Sequence, residues 1–308
     1  MNLPGLDERP IVVTVYGRTD AGRKRTDNQD NFLVADLGAA LGDGALLLSP
    51  RAGVEDGNGS PSFSLGPKGA LLLVADGMGG AAAGSLASEM AAAWIYQELI
   101  TKWGGDRNNV PDQFALRLRQ AVEDTNARIH EHALSDANCF GMGTTTTAIG
   151  LLDGFAFVAQ VGDSRAYLVR NGSAVQLTRD QSFVQRLVDA GTLTEAEAEK
   201  SRHGNVILQA LGTEPRVEVD LTYQQVRRGD ALLICSDGLF RVVQRDEIAR
   251  IVGELEPADA TAMLIDMANE RGGPDNVTAV VARVAGSGLD EPSDVDAVGR
   301  REYRLSES

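Results

Sequence analysis

Four short acidic motifs lie far apart in the chain, and each places an aspartate beside a glycine or an asparagine. They read Asn28-Gln29-Asp30-Asn31, Val74-Ala75-Asp76-Gly77-Met78-Gly79-Gly80, Cys235-Ser236-Asp237-Gly238 and Pro274-Asp275-Asn276-Val277. In three of them the aspartate directly follows or precedes an apolar run, which is typical of a loop residue presented at the end of a strand. Such carboxylates can converge on hard divalent cations, which prefer oxygen ligands. The motifs therefore predict a divalent-cation site.

An arginine precedes the first motif and could serve the same site. Two divalent cations about 3.5–4 Å apart can share one hydroxide and ready it to attack phosphorus in line. That reaction also needs a group to hold the phosphate oxygens, and the guanidinium fork of Arg25 matches them. Arg25 lies in a basic turn shortly before Asp30. An ordinary exposed loop arginine fits the position equally well. These residue types favour a metal-dependent phosphohydrolase.

Other kinds of site are disfavoured. His130 and His132 lie two apart on a predicted helix and point to different faces, so they cannot both hold one zinc ion. The sequence contains no Gly-x-Ser-x-Gly elbow, no Gly-x-Gly-x-x-Gly motif and no Walker loop. Cys139 and Cys235 lack metal-ligand spacing and are interpreted as buried thiols of a reducing compartment.

Composition limits the partners. The chain has 308 residues, of which 44 are acidic and 29 basic, for a formal net charge of −15. Such a surface repels nucleic acid and anionic membranes. Neither a signal-peptide pattern nor an apolar run of about 20 residues occurs. We therefore expect a soluble cytoplasmic monomer without a nucleic-acid or membrane partner.

The elements that must position the motifs are grouped in blocks. Strands are predicted at 11–16, 31–36, 70–75, 144–152, 155–161, 165–170, 174–177, 217–223, 231–235 and 277–284, and helices at 84–102, from Pro111 onward, at 246–252 and at 258–271. Asp-Gly, Gly-Asp and Asn-Gly turns connect the middle strands as an antiparallel meander. The first two helices should pack antiparallel, each with an apolar face on a sheet. This grouping favours an α+β architecture of two packed sheets with helices outside.

Three segments depart from this pattern. Residues 37–68 shift to Gly, Ala, Ser and Pro, which predicts a surface insertion. Residues 180–211 are polar and helical, with a capping box from Thr194 to Glu197. Residues 286–308 are polar and charged and are expected to form a frayed tail. Residues 1–285 would then be a single domain.

Six motifs in order resemble a known family. They are Arg25-Thr26-Asp27-Asn28-Gln29-Asp30-Asn31, Val74-Ala75-Asp76-Gly77-Met78-Gly79-Gly80, Gly143-Thr144-Thr145, Val161-Gly162-Asp163-Ser164-Arg165, Cys235-Ser236-Asp237-Gly238-Leu239 and Asp275-Asn276-Val277-Thr278. Together they resemble the metal-dependent Ser/Thr protein phosphatases of type 2C in their bacterial form, from about Tyr16 to Val284. A single Asp-Gly motif is weak, whereas six in order are specific.

The resemblance implies a four-layer αββα sandwich of two antiparallel sheets flanked by antiparallel helices, with Mn²⁺ or Mg²⁺ at one end. Two ions would occupy the core site, and a third would bind more weakly. Asp76 would bridge the two core ions. Asp237 and Asp275 would complete one of them, and the carbonyl of Gly77 would serve the other. Asp163 would take part in the third site, unless it only satisfies turn amides.

The resemblance also implies roles around the ions. Asp30 would act mainly through metal-bound water, and Arg25 would hold the substrate phosphate. Residues 180–211 would form a flap beside the site. We expect Asn276 to orient Asp275 by a hydrogen bond. Gln29 stands where many relatives carry Glu, and Met78 stands where animal members carry a histidine that protonates the leaving group, so the general acid here is not identified.

The implied function is metal-dependent hydrolysis of phosphoserine and phosphothreonine on proteins, opposing Ser/Thr kinases and acting on substrates that include such a kinase. Two alternatives stay open. A pseudophosphatase would use the same sandwich only to hold a partner, although Asp76, Asp237 and Asp275 are all present. A phosphatase of small phosphoesters, or of one dedicated regulatory protein, would keep the metals and change the substrate.

Overall fold

The short apolar runs of the sequence become strands in the computed structural model, which describes residues 10–39, 45–50, 60–199, 201, 203–293 and 296–304. The strands within these ranges are β1 (Val12–Asp20), β2 (Asp30–Asp36), β3 (Ala45–Leu48), β4 (Ser62–Ser64), β5 (Ala70–Met78), β6 (Gly143–Thr144), β7 (Thr146–Leu152), β8 (Phe155–Val161), β9 (Arg165–Arg170), β10 (Ser173–Gln176), β11 (Asp220–Gln225), β12 (Ala231–Cys235) and β13 (Val277–Ala285). The helices are α1 (Ala81–Glu98), α2 (Pro111–Ser135), α3 (Phe183–Asp189), α4 (Glu195–Glu199), α5 (Asp237–Phe240), α6 (Arg245–Glu254) and α7 (Pro257–Glu270). A π-helical turn, Leu99–Trp103, continues α1.

The strands form two antiparallel sheets that pack face to face. The first sheet has the order β10-β9-β12-β13-β1-β4, and the second has the order β11-β8-β7-β5-β2-β3, with β6 paired to β5. Apolar side chains from both inner faces meet in one buried cluster that includes Val15, Phe32, Val74, Ile234 and Val280. Burial of these side chains holds the sheets together, as in other aligned sandwiches.

Helices cover both outer faces. The first and second helices pack on the second sheet, and α2 buries Phe114, Leu118 and Val122 at a spacing of four residues. Helices α6 and α7 pack on the first sheet. Ion pairs join Lys102, in the π-helical turn, to Asp124 and Glu98, one turn earlier, to Arg128, one turn later, so α1 and α2 run antiparallel. The predicted four-layer αββα fold is confirmed.

The described parts of residues 37–68 extend the sheets at their edges. Strand β3 pairs with β2, and β4 pairs with β1. Leu48 is buried in the core between the sheets. Residues 40–44 and 51–59 of the expected insertion lie outside the described residues. Residues 37–68 are therefore more than the surface insertion that was expected, because β3 and β4 within them extend the two sheets. Both strands are too short to be recognised in the sequence pattern.

The capping box expected within residues 180–211 forms at the start of α4. The backbone N–H of Thr194 donates to Oε2 of Glu197 at 2.8 Å, and the backbone N–H of Glu197 donates to Oγ1 of Thr194 at 3.3 Å. The segment contains two short helices, α3 and α4, and α3 has no buried residue. This part of the chain is thus less firmly packed than the sandwich.

The expectation of a frayed tail is wrong for residues 286–293 and 296–304. Leu289 is buried, and Asp296 pairs with Arg227 at 2.8 Å. The Tyr303 ring packs edge-on against Phe157, with the ring centroids 5.3 Å apart, and its backbone N–H donates to the carbonyl of Leu221. A few apolar anchors in a polar segment are enough to fix it to the edge of the second sheet.

Candidate functional site

Antiparallel pairing brings the predicted site residues to one end of the sandwich. Asp30 and Asp76 are directly paired across β2 and β5. Cys235, at the end of β12, pairs with Arg165 on one side and Ala279 on the other. The loops that carry Asp237, Asp163 and Asp275 therefore leave the sheets at the same end. A cleft of about 500 Å³ opens there, and its walls include Arg25, Asp76, Gly77, Asp163, Asp237 and Asp275.

Asp30 is enclosed by the sheets, with 4% of its surface exposed, the same fraction as Asp163. Its Oδ2 accepts hydrogen bonds from Ser236 Oγ at 2.6 Å and Thr278 Oγ1 at 2.7 Å. Its Oδ1 has no hydrogen-bond partner. Ser236 and Thr278 were not predicted as partners of Asp30, although both stand within the motifs. They fix the carboxylate and leave one oxygen available.

Asp76 and Gly77 are held by the backbone around the end of β5. The backbone N–H of Asp76 donates to Thr145 Oγ1 at 3.1 Å, and that of Thr145 donates to the Asp76 carbonyl at 2.8 Å. A Cβ at position 77 would lie 2.1 Å from the carbonyl oxygen of Gly84. Glycine at this position therefore lets the first turn of α1 approach the strand end.

Two arginines pair with the outer carboxylates. The Arg25 guanidinium donates to both oxygens of Asp275, each at 2.8 Å. Arg241 Nε donates to Asp237 Oδ2 at 2.8 Å, and its Nη2 lies 3.5 Å from Asp163 Oδ2. Arg241 was not predicted as a site residue, although its position four residues after Asp237 was visible in the sequence. Both arginines offset negative charge at the cleft.

Asn276 contacts both Asp275 and the loop that carries Arg25. Its side-chain Oδ1 accepts from the backbone N–H of Gln29 at 2.9 Å, and its Nδ2 donates to the carbonyls of Ala21 and Asp27. The hydrogen bond expected between Asn276 and Asp275 is made by the backbone N–H of Asn276, which donates to Asp275 Oδ1 at 2.9 Å. The side-chain amide instead fixes the loop that carries Arg25.

The carboxylates perturb one another. Burial, followed by the charge of Asp30, raises the pKa of Asp76 well above its usual range. Burial raises the pKa of Asp30 to about 7, against the lowering effect of its two hydroxyl donors. Burial and the charge of Asp237 raise the pKa of Asp163 to about 7. Burial also raises the pKa of Asp237, which Arg241 opposes. The site holds more negative charge than its own cations compensate.

These donors fit hard divalent cations. The cleft offers carboxylate oxygens from several strand ends. Asp30 is not one of the residues that line the cleft, but it lies directly opposite Asp76 in the sheet, and its buried Oδ1 has no hydrogen-bond partner. Within the described ranges, no three Asp, Glu, His or Cys side chains already stand as one ligand set, and Asp237 and Asp275 are paired with arginines instead. Oxygen donors with excess negative charge suit Mg²⁺ or Mn²⁺ better than softer metals.

The raised pKa of Asp30 predicts a stability change for Asp30→Asn in metal-free protein. The folded state loses stability as pH rises from the ordinary value, 3.8, to about 7. A shift of that size corresponds to roughly 4 kcal/mol at most. Because asparagine keeps an acceptor for both hydroxyls and removes the charge, we expect a gain of about 2 kcal/mol at pH 8. Urea unfolding with a chelator present measures it.

The gain should shrink as pH falls and vanish well below pH 3.8, where the wild-type carboxyl is neutral in both the folded and the unfolded state. Asp266→Ala, on the exposed face of α7, is the control and should show no such pH-dependent difference. Equal stability of Asp30→Asn and wild type at pH 8 would contradict the prediction.

Comparison with known proteins identifies a family and several relatives that this chain resembles. Residues 56–270 match the family described as Protein phosphatase 2C. The serine/threonine protein phosphatase PstP of Mycobacterium tuberculosis is 40% identical over 214 residues, which are 70% of this chain and 40% of PstP. The chain thus spans less than half the length of that relative. Protein phosphatase PhpP of Streptococcus pneumoniae is 35% identical over 271 residues, covering 85% of this chain and 94% of PhpP.

Solved structures share the fold. A crystal structure of the catalytic domain of PstP in complex with two manganese ions has a TM-score of 0.68 and 34% sequence identity, covering 89% of this chain and 99% of that domain. The family match extends over more than half of the chain, and the motif order and the cleft agree with it. This chain therefore belongs to the protein phosphatase 2C family.

Proposed function

We propose that the protein is a metal-dependent serine/threonine phosphatase that hydrolyses phosphoserine and phosphothreonine on proteins. One observation carries the proposal: Asp76, Asp163, Asp237 and Asp275 reach one cleft from separate strand ends, with Arg25 in its wall. The relatives PstP and PhpP are named as phosphatases, which supports the same reaction here. In this assignment residues 1–285 form one catalytic domain, with 37–68 as an insertion, 180–211 as the flap and 286–308 as a polar tail.

Asp76, Asp237 and Asp275, with the carbonyl of Gly77, would hold two divalent cations. Bound there, the cations supply an activated water and neutralise charge on the phosphate. Asp30 would orient water through its unpartnered Oδ1, since Ser236 and Thr278 fix the other oxygen. Because the PstP catalytic domain binds two manganese ions, we assign Mn²⁺ to the core site of this chain. We propose that Mg²⁺ can also occupy it. Asp163 would hold the weaker third ion.

Arg25 would bind the substrate phosphate. The Nε and Nη2 edge of its guanidinium is held by Asp275, while the side chain stays 55% exposed. The remaining N–H groups on Nη1 and Nη2 are therefore left to bind phosphate oxygens. Charge-assisted, two-pronged contacts suit the oxygens of a phosphoryl group. Met78 lies in the same cleft and cannot donate a proton. The leaving alkoxide must therefore take its proton from a group other than the residue at position 78.

The setting of the reaction is also proposed. Phosphorylated proteins, a Ser/Thr kinase among them, would be the substrates, and the enzyme would act in cytoplasmic signalling as a monomer. Both cysteines are buried and free, which suits a reducing compartment. Across the described residues, the helices are too short or too polar to traverse a membrane.

Metal-dependent turnover is the direct test. We expect hydrolysis of p-nitrophenyl phosphate and of a phosphothreonine peptide with Mn²⁺, slower hydrolysis with Mg²⁺, and loss of activity with excess chelator that added Mn²⁺ restores. Hydrolysis of p-nitrophenyl phosphate but not of the phosphothreonine peptide would instead favour a small-molecule phosphatase. A folded protein that binds Mn²⁺ but hydrolyses neither substrate would favour the binding role of a pseudophosphatase.

Arg25→Ala tests the phosphate contact. Losing a charge-assisted hydrogen-bonding group should lower kcat/KM for the phosphopeptide roughly 10- to 100-fold, mainly through KM. The kcat/KM of Arg25→Lys should lie between those of wild type and Arg25→Ala, because lysine keeps the positive charge but lacks the two-pronged guanidinium. Arg23→Ala, an exposed arginine in the same turn, serves as the control. Calorimetric Mn²⁺ titration must accompany the assay, since Arg25 also pairs with Asp275. Unchanged kcat/KM in Arg25→Ala would remove Arg25 from the substrate site.

A further inference from the structure

Arg241 joins the cleft to the flap through three contacts. Its Nε donates to Asp237 Oδ2 at 2.8 Å, and its Nη2 donates to the carbonyl of Gly204 at 2.9 Å. The same Nη2 lies 3.5 Å from Asp163 Oδ2. One guanidinium therefore touches two of the proposed cation ligands and the backbone of residues 180–211.

The surroundings make this connection important for the flap. A cavity of about 960 Å³ separates α3 from α6, and Arg241 and Gly204 both line it. No residue of α3 is buried, so apolar packing holds this part of the flap only weakly. A Cβ at position 204 would lie 3.0 Å from Arg241 Nη1, which shows how closely the guanidinium approaches the backbone. The Arg241–Gly204 hydrogen bond thus bridges a gap in the packing.

We propose that Arg241 competes with a divalent cation for Asp163 and Asp237, and that its contact with Gly204 transmits this competition to the flap. The inference rests on the proposed function, because it takes these two aspartates as cation ligands. A guanidinium at salt-bridge distance neutralises the carboxylates and repels a second positive charge. A cation at Asp163 therefore requires Arg241 to move away, which breaks the hydrogen bond to Gly204. Cation binding and flap attachment then oppose each other, and by reciprocity a firmly attached flap weakens cation binding.

Calorimetric titration of the full chain with Mn²⁺ tests the competition without using activity. Arg241→Ala should bind its weakest Mn²⁺ about tenfold more tightly than wild type, whereas Arg245→Ala, an exposed arginine at the start of α6, should match wild type. Unchanged Mn²⁺ affinity in Arg241→Ala, in a protein that binds Mn²⁺, would overturn this inference and leave the proposed function intact. Absence of Mn²⁺ binding in wild type and variant alike would overturn both.

Hydrogen exchange of residues 203–208 tests the link to the flap. Exchange there should quicken when wild type is saturated with Mn²⁺, and it should be fast in Arg241→Ala with or without the metal. Arg241→Lys keeps the charge and loses the fork, so we expect Mn²⁺ affinity near that of wild type together with fast exchange. An Arg241→Lys protein that binds Mn²⁺ as tightly as Arg241→Ala would contradict the charge competition. If the hydrogen-exchange rates of residues 203–208 in wild type do not change when Mn²⁺ is added, the proposed transmission to the flap is contradicted.

Discussion

Asp237→Ala is expected to lower turnover of a phosphothreonine peptide about 1,000-fold, at the upper end of the effect of removing one preorganised electrostatic group. Asp237 begins α5 directly after β12, and its carboxylate lies in the cleft. Alanine there removes a proposed cation ligand and also leaves Arg241 without its closest partner. Steady-state kinetics with saturating Mn²⁺ measures the loss.

Asp266→Ala is the matched control, because it removes an aspartate from an exposed position of α7 that does not line the cleft. Its kcat should stay within about twofold of wild type. A thermal melt of Asp237→Ala must show that the variant is folded, so that lost activity is not lost structure. A folded Asp237→Ala protein with more than a tenth of wild-type activity would remove Asp237 from the ligand set.

Asp230→Ala is expected to have the largest effect on stability, about 3–5 kcal/mol. Arg170 and Asp230 form a two-pronged ion pair at 2.8 and 2.6 Å, and their side chains are 6% and 0% exposed. Removing Asp230 leaves the Arg170 guanidinium charged and buried beside β12 with no carboxylate to offset it. Urea unfolding of the metal-free protein should show the loss as a lower midpoint.

Two further variants separate burial of charge from simple loss of contact. The double variant Arg170→Met with Asp230→Leu should recover much of the lost stability, because it removes both charges and fills the space. Glu291→Ala breaks an exposed pair with Arg228 and should cost less than about 1 kcal/mol. An Asp230→Ala protein as stable as Glu291→Ala would show that this buried pair is not needed for folding.

The contacts between the motifs explain why the motifs alone give an incomplete site. Thr278, 248 residues from Asp30 in sequence, and Ser236, 206 residues away, both donate to its carboxylate. Sequence patterns report local periodicity and turns, and they carry no distance between residues so far apart. The hydroxyl donors could be suspected from their motifs, but their shared acceptor could not.

The sequence by itself determined the motif residues that line the cleft, most of the antiparallel strands, the two long helices and an α+β class of two packed sheets with helices outside, because each depends on local residue type, spacing or turn chemistry. The resemblance to a known family supplied the four-layer αββα order. Only the tertiary structure decided which groups meet: Arg241 with Asp237 and Gly204, Asn276 with Gln29, Arg170 with Asp230, and Tyr303 with Phe157. These contacts depend on sheet order and register, which bring distant loops to the same edge. For the same reason the docked tail and the arginine link to the flap had no counterpart in the sequence pattern.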